Sequence, residues 1–463
     1  MASFGAAPDD VLAEIICSAT SQWPEAPALL AAVSRSFYRV AHTTPSAWNR
    51  LALSMKVGND ARSLNKTALW MDRSRSCAVE VEVSLEQEAE GGVHVHEAVT
   101  SLLRAHSDRI PSMKVRCPSQ AAAATYFSTL FPDLCSAPPG LRHLIVEVAP
   151  ETGSKTRTSF QLSLPASLRS LHLHSSAIPS FPASLDSLRE LSIIRPLTAT
   201  PLTLAEFACV VEAAASLTSL NIQSRVAGAF PCDPVVFPAL RSLTLRANHI
   251  PRLLDFFAAP VLDILHLNDL DSKRPRASAE SCDAIWRFVI RSAGRETPRT
   301  LGLTGIATGE DDRFAQCRGW VTCLRRLYSL EEVRLAHTPA DRMLTLLSSR
   351  YRVAEEESTE QDGEFLCPRL RKVCTSAVPC EVAARHMREA RPEVEVVRLA
   401  EEREGLSREA PDIESLSRVP SLSDLTQILL HQRTHIPGIS GFGFGSAFDI
   451  ARRKRAKSEE ELK

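Results

Sequence analysis

The sequence predicts an α/β protein, most of it a solenoid of short strands alternating with helices. Three observations predict it. A short phrase, L-x-x-L-x-L, returns nine times between residues 141 and 375. Segments with apolar residues at helical spacing lie between many of its copies. Hydrophobic residues make up 44% and charged residues 24% of the 463, a balance that can build a core. No uncharged apolar run approaches the roughly 18 residues that cross a bilayer.

The chain opens on short helices. Pro8, Asp9 and Asp10 are good first-turn residues, and Val11, Leu12, Ile15, Ile16 and Ala19 share one face of the helix that follows. Trp23 to Pro27 breaks the chain. A second helix carries Leu29, Leu30, Val33, Phe37, Val40 and Ala41, interrupted by polar Ser34, Arg35 and Ser36. Thr44-Pro45 begins a third, with Trp48 and Leu51 on one side. Three short helices do not bury these faces among themselves. Either they pack onto the domain that follows, or part of their apolar surface docks another protein.

Residues 77–135 read as a degenerate start of the array. Val79, Val81, Val83 and Leu85 alternate with Glu80 and Glu82 as in a half-exposed strand. A helix face of Val95, Ala98, Val99, Leu102 and Leu103 follows, then a strand at Met113–Cys117 and an alanine-rich helix with Tyr126, Phe127 and Leu130. The clear phrases begin at Leu141, Leu168, Leu188, Leu217, Leu240, Leu262, Pro298, Leu330 and Leu370. The first intervals, 27, 20, 29, 23 and 22 residues, fit the 20–29 period of leucine-rich repeats, and the last, 36, 32 and 40, are longer. Leucines two apart in a strand point the same way, and the leading leucine anchors the approach. The fullest unit, Leu240 to Ile250, places Asn248 where its side chain can bond the backbone of the turn leaving the strand; Ser176, Pro196 or Thr338 stand there in other units. Helix-like segments fall at 205–215, 281–293, 311–327, 341–350 and 382–390, an acidic insertion at 355–364, and a last strand near 393–399. The expected domains are therefore 1–55, helical; 56–400, a leucine-rich-repeat-like α/β solenoid; and 401–463, a charged, largely disordered tail.

Composition excludes several functions. Lys+Arg is 54 against Asp+Glu 55, so a net charge of −1 recruits neither nucleic acid nor an anionic membrane, and aromatics are only 6%. The twelve cysteines contain no C-x-x-C and read as free thiols; His94/His96 and His172/His174 lack companion ligands, so neither a metal nor a cofactor is expected. The sequence contains no G-x-S-x-G, P-loop, H-E-x-x-H or kinase phrase, so the chain is not expected to be an enzyme. Gly441 to Gly445 lacks the spacing of a phosphate loop, a short helix is conceivable near Leu422–Leu430, and Arg452 to Lys457 reads either as a nuclear-localisation patch or as a solvated end. The N-terminus has no basic region leading an apolar one, so a cytoplasmic or nuclear location is expected.

In order, Pro8, the Leu12/Ile15/Ile16 face, Leu29-Leu30, Val33-Ser34-Arg35, Phe37 and Pro45-x-x-Trp48 resemble the F-box family of fungi. Ala7, Ser34 and Phe37 depart from that family's usual leucine, cysteine and tryptophan. The resemblance covers residues 5–52 and implies a short three-helix F-box ahead of the solenoid. It further implies a substrate-recognition subunit of a Skp–cullin–F-box ubiquitin ligase. A Skp-type adaptor, and through it cullin, would dock on Pro8, Leu12, Ile15, Ile16, Leu29, Leu30, Val33, Phe37 and Trp48. The alternative is a leucine-rich-repeat scaffold not coupled to a ligase.

The target protein is expected on the concave sheet, on residues that alternate with the phrase leucines. These are Ser170, His172 and His174; Glu190 and Ser192; Ser219, Asn221 and Gln223; Ser242, Thr244 and Arg246; His266 and Asn268; and Glu332 and Arg334. Of these His172, Asn221, Thr244, Arg246, His266, Asn268 and Arg334 are the leading contacts. The set is polar without a basic stripe, which favours a protein segment over a nucleic-acid backbone. An equal alternative puts the contact on loops such as 271–280 or 355–364.

Overall fold

Thirteen strands pair side by side in the computed structural model, and their order across the sheet is their order along the chain. They are β1 (Arg50–Met55), β2 (Glu80–Leu85), β3 (Ser112–Cys117), β4 (His143–Val148), β5 (Ser170–His174), β6 (Glu190–Ile194) and β7 (Ser219–Gln223), continuing as β8 (Ser242–Ala247), β9 (Ile264–Asp269), β10 (Thr300–Thr304), β11 (Glu332–Ala336), β12 (Lys372–Thr375) and β13 (Glu395–Arg398). Every neighbouring pair is parallel. The structure describes residues 7–56, 58–86, 95–131, 140–149, 167–175, 186–197, 199, 201–203, 206–207, 215–227, 234–270, 277–292, 298–306, 315–338, 340–351, 364–376 and 381–398. The chain divides into two units. One comprises Met1–Glu14 with Glu401–Lys463, of which only 7–14 are described; the other, Ile15–Ala400, holds the whole sheet.

The phrase explains the sheet. Its second leucine forms one column through the register, Leu144–Leu171–Leu191–Leu220–Leu243–Leu265–Leu301–Val333–Val373, and its third forms another. Members of the first column are at most 1% exposed. A one-residue slip would turn every one of them to the opposite face, so the register is strongly specified. The second and third positions of all nine phrases lie on strands, and β1–β3 extend the same columns backward through Leu51, Val81 and Met113. Asn248 behaves as its position suggests: Oδ1 accepts from the Val226 N–H at 2.6 Å, and Nδ2 donates to the Val226 carbonyl at 3.2 Å.

Eleven α-helices lie among the described residues: α1 (Asp9–Gln22), α2 (Ala26–Ala31), α3 (Arg35–Thr43), α4 (Asp60–Arg73), α5 (Glu97–Ala105), α6 (Gln120–Leu130), α7 (Ile250–Phe256), α8 (Ala277–Arg291), α9 (Ala315–Arg326), α10 (Ala340–Ser348) and α11 (Glu381–Ala390). Successive helices pack on one another, α4 on α5, α5 on α6, α7 on α8, α8 on α9, and α10 on α11. Between β6 and β9 short parallel pairs, Leu202–Thr203 with Val226–Ala227 and Val235–Val236 with Phe257–Ala258, line the return path. No helix among the described residues is long and apolar enough to cross a membrane. Of the predicted helix at 205–215, all but residues 206, 207 and 215 lie outside the described residues, as do the insertion 355–363, the helix near 422–430, Gly441–Gly445 and the basic patch 452–457.

The N-terminal region differs from the expectation in three ways. The second helix is two, because Ser34 accepts a hydrogen bond from the Phe37 N–H at 3.2 Å and so caps a new one. The third is only a 3₁₀ turn, Pro45–Trp48. Leu51, expected on that helix, is instead on β1. The first strand of the sheet therefore falls inside residues 1–55, and a separate three-helix domain is not evident. Phe37 and Trp48 are buried. The Trp48 indole donates to the Ala41 carbonyl at 2.8 Å and meets Trp70 of α4 edge-on at 4.9 Å, while Trp70 donates to the Arg50 carbonyl.

Candidate functional site

With the leucine columns turned inward, the alternating residues form rows on the opposite, half-exposed face. One row runs His172–Ser192–Asn221–Thr244–His266–Gly302–Arg334 across β5 to β11. At about 4.8 Å per strand it spans roughly 29 Å. The next row pairs Gln223, Arg246, Asn268 and Thr304. All seven leading target-contact residues thus fall in two adjacent rows on one face.

Hydrogen bonds link parts of these rows, while His266 Nε2 is buried without a hydrogen-bond partner among the described residues. Asn221 donates to Ser192 Oγ at 3.1 Å, and Gln223 donates to Asn221 Oδ1 at 3.4 Å. Ser170 Oγ and His172 Nε2 lie 2.9 Å apart, and Arg334 grips Glu332 at 3.0 Å. Gly302 is where it is for steric reasons: a Cβ there would sit 2.5 Å from the ring of His266, which lies across it. At the start of the sheet the face turns ionic. Lys114 and Arg116 reach Glu147 at 2.8 and 2.9 Å, and Arg116 also reaches Glu82 at 3.0 Å. Burial alone would raise the Glu147 carboxyl, but these hydrogen bonds and charges hold it below the ordinary carboxylate range.

The histidines are less solvent-facing than their alternation suggested. Burial lowers His172, with Glu190 opposing and His143 adding; burial likewise lowers His174, opposed by Glu147 and aided by His172 and Lys114. Burial and Arg334 lower His266, opposed by Glu332. A folded-state value below the ordinary 6.5 means that the unfolded chain binds protons first, so stability is lost as pH falls below about 6.5. The melting temperature of the H172N/H174N variant should therefore decline less than the parent's between pH 7.5 and 5.5. Identical declines would show that these rings do not contribute.

The adaptor residues divide. Leu12, Ile16, Phe37 and Trp48 are buried, so their aliphatic and aromatic faces are committed inside the chain; Ile15 and Leu30 are half-exposed. Pro8, Leu29 and Val33 are exposed, the last two at 38% and 64%, and Tyr38 joins them at 55%.

Two features escaped the sequence reading. A groove of about 420 Å³ opens where β9 to β12 begin, between Asp263, Arg299, Glu331 and Arg371. On the same rim the residue after each phrase's leading position is often arginine: Arg142, Arg169, Arg189, Arg241, Arg299 (after Pro298) and Arg371. The repeated L-R-x-L was a legible signal, hidden by a whole-chain charge near zero. Two buried thiols, in contrast, are poor nucleophiles: burial pushes Cys117 and Cys367 up to about 12. No family model matches this chain, and no curated protein matches it.

Proposed function

We propose that the chain is a protein-recognition subunit whose leucine-rich-repeat-like solenoid holds a target on the polar rows and whose F-box-like N-terminus engages a Skp-type adaptor of a cullin ubiquitin ligase. The observation that carries the reading is the in-register, largely polar row from His172 to Arg334, held on seven neighbouring parallel strands. Polar, half-desolvated side chains on fixed strands suit an extended protein segment, since little order is lost on binding. Exposed Leu29 and Val33 support the adaptor contact, each worth about 1.5–3 kcal/mol when fully covered. The buried, protonated thiols fit a subunit that brings a target to another enzyme rather than one that reacts itself.

A second reading has its own observation. Because Leu12, Ile16, Phe37 and Trp48 are buried, the N-terminal helices have a structural role only, and the chain is a scaffold without ligase coupling.

Affinity purification decides between them. L29D/V33D alters only exposed positions, so the fold should persist while adaptor and cullin are lost. N221A/T244A/R246A/H266A should keep the adaptor and lose the target. Aspartate at Ile16 is unsuitable, because a buried carboxylate would unfold the helix instead of reporting docking. Adaptor absent from the parent purification, or retained by L29D/V33D, would leave the scaffold reading.

A further inference from the structure

Arg142, Arg169 and Arg189 stand one strand apart at the entry to β4, β5 and β6, and all three are exposed. Backbone bonds hold them in line: the Arg169 N–H donates to the Arg142 carbonyl at 2.8 Å, and the Arg189 N–H to the Arg169 carbonyl at 2.7 Å. Adjacent strands place such rungs about 4.8 Å apart, so three guanidinium groups share a stretch of about 10 Å. Like charges placed directly across strands are destabilising. Farther along the rim that repulsion is offset in part within the chain. Arg241 pairs with Asp263 at 3.0 Å, Arg299 approaches Asp263 at 4.0 Å, and Glu331 stands between Arg299 and Arg371. At Arg142, Arg169 and Arg189 no carboxylate pairs with the guanidinium groups among the described residues; Arg189 makes one bond, from Nη1 to the Ser216 carbonyl at 2.9 Å.

We propose that this arginine ladder binds an acidic segment of a target polypeptide, laid across the strand entries with its anionic side chains forked by successive guanidinium groups. The inference rests on the protein-recognition reading and names the chemistry of the target. Guanidinium matches carboxylate and phosphoryl oxygens alike, in two parallel N–H···O bonds. In an extended peptide alternate side chains lie about 6.6–7 Å apart on one side, within reach of neighbouring rungs. A nucleic acid fits less well. The ladder is short, and its neighbours Ser167, Ser187 and Glu190 offer no ring for a base to stack on. His143, beside Arg142 and exposed, adds a further hydrogen-bonding group at the same end.

The test is fluorescence anisotropy on the full chain with three labelled probes: a peptide with glutamate at alternate positions, the same peptide with phosphoserine there, and an oligouridylate. The parent should bind at least one peptide, more weakly as salt is raised. R142Q/R169Q/R189Q should weaken that binding by about tenfold or more, since each charge-assisted bond lost counts. R62Q/R252Q/R388Q removes three exposed helical arginines and should bind as the parent does. Binding of both peptides makes carboxylates sufficient; binding of the phosphorylated one alone makes phosphoryl groups the source. Unchanged affinity in the rim variant, no peptide binding by the parent, or tighter binding of the oligouridylate would overturn the proposal. Circular dichroism verifies that each variant is folded. Adaptor capture on the same preparations reports the ligase reading separately, because the rim substitutions leave Leu29 and Val33 untouched.

Discussion

Replacing Arg391 with alanine is expected to destabilise the C-terminal end of the sheet by about 3–5 kcal/mol, one of the largest single-residue effects in the chain. The side chain is 1% exposed. Its Nη1 donates to the carbonyls of Leu366 and Cys367 at 3.1 and 3.2 Å, Nη2 again to Cys367 at 3.2 Å, and Nε to Glu393 at 3.0 Å. It also lies over the Phe365 ring at 5.0 Å. Alanine would strip the Leu366 carbonyl of this donor, leave the Cys367 carbonyl only the Leu370 N–H at 3.0 Å, and open a void where the guanidinium was. Lysine should rescue little, since a point charge on a flexible stem cannot serve several fixed carbonyls. Hydrogen exchange of residues 364–398, together with the urea midpoint, reads the effect. Protection equal to the parent's would mean that the buried guanidinium contributes no net stability.

The second large effect is in the leucine column. Leu243 is fully buried between Leu220 and Leu265, and Leu243→Ala should cost about 2–5 kcal/mol. Val396 occupies the same column on the last strand but is half-exposed, and Val396→Ala should cost under about 1 kcal/mol. Urea titrations of the two variants test this; similar losses at both positions would show that the column is not the main source of cohesion.

Much of the sheet was legible because its signal is local. A leucine column needs only a two-residue alternation and an anchor, and the phrase carries both, so strands from β4 to β12 and their rows could be read directly. The N-terminus was harder. In β1, Leu51, Leu53 and Met55 alternate as a strand should, yet Trp48 and Leu51 are also three apart and passed for a helix stripe. The stripe through Leu12, Ile16 and Phe37 showed that something covers it but not what. For Trp48 the cover includes Trp70, on a helix that no motif announced. Seven-residue α7 was too short for periodicity to register. The polar rows follow from register alone, whereas the ion pairs around Glu147 depend on which long side chains reach across strands, information no spacing holds.

Strand order identical to chain order has a consequence for how the molecule comes into being. Within the sheet each strand's partners are the ones just before and just after it in sequence, so no pairing waits for a distant part of the chain. Relative contact order is accordingly low for so wide a sheet, and parallel pairing escapes its usual slowness. On a ribosome adding about 5–20 residues per second, each new strand would emerge within seconds onto an edge already formed. The growing edge serves as the template, and among the described strands of this sheet the open edges are those of the first and of whichever was made last.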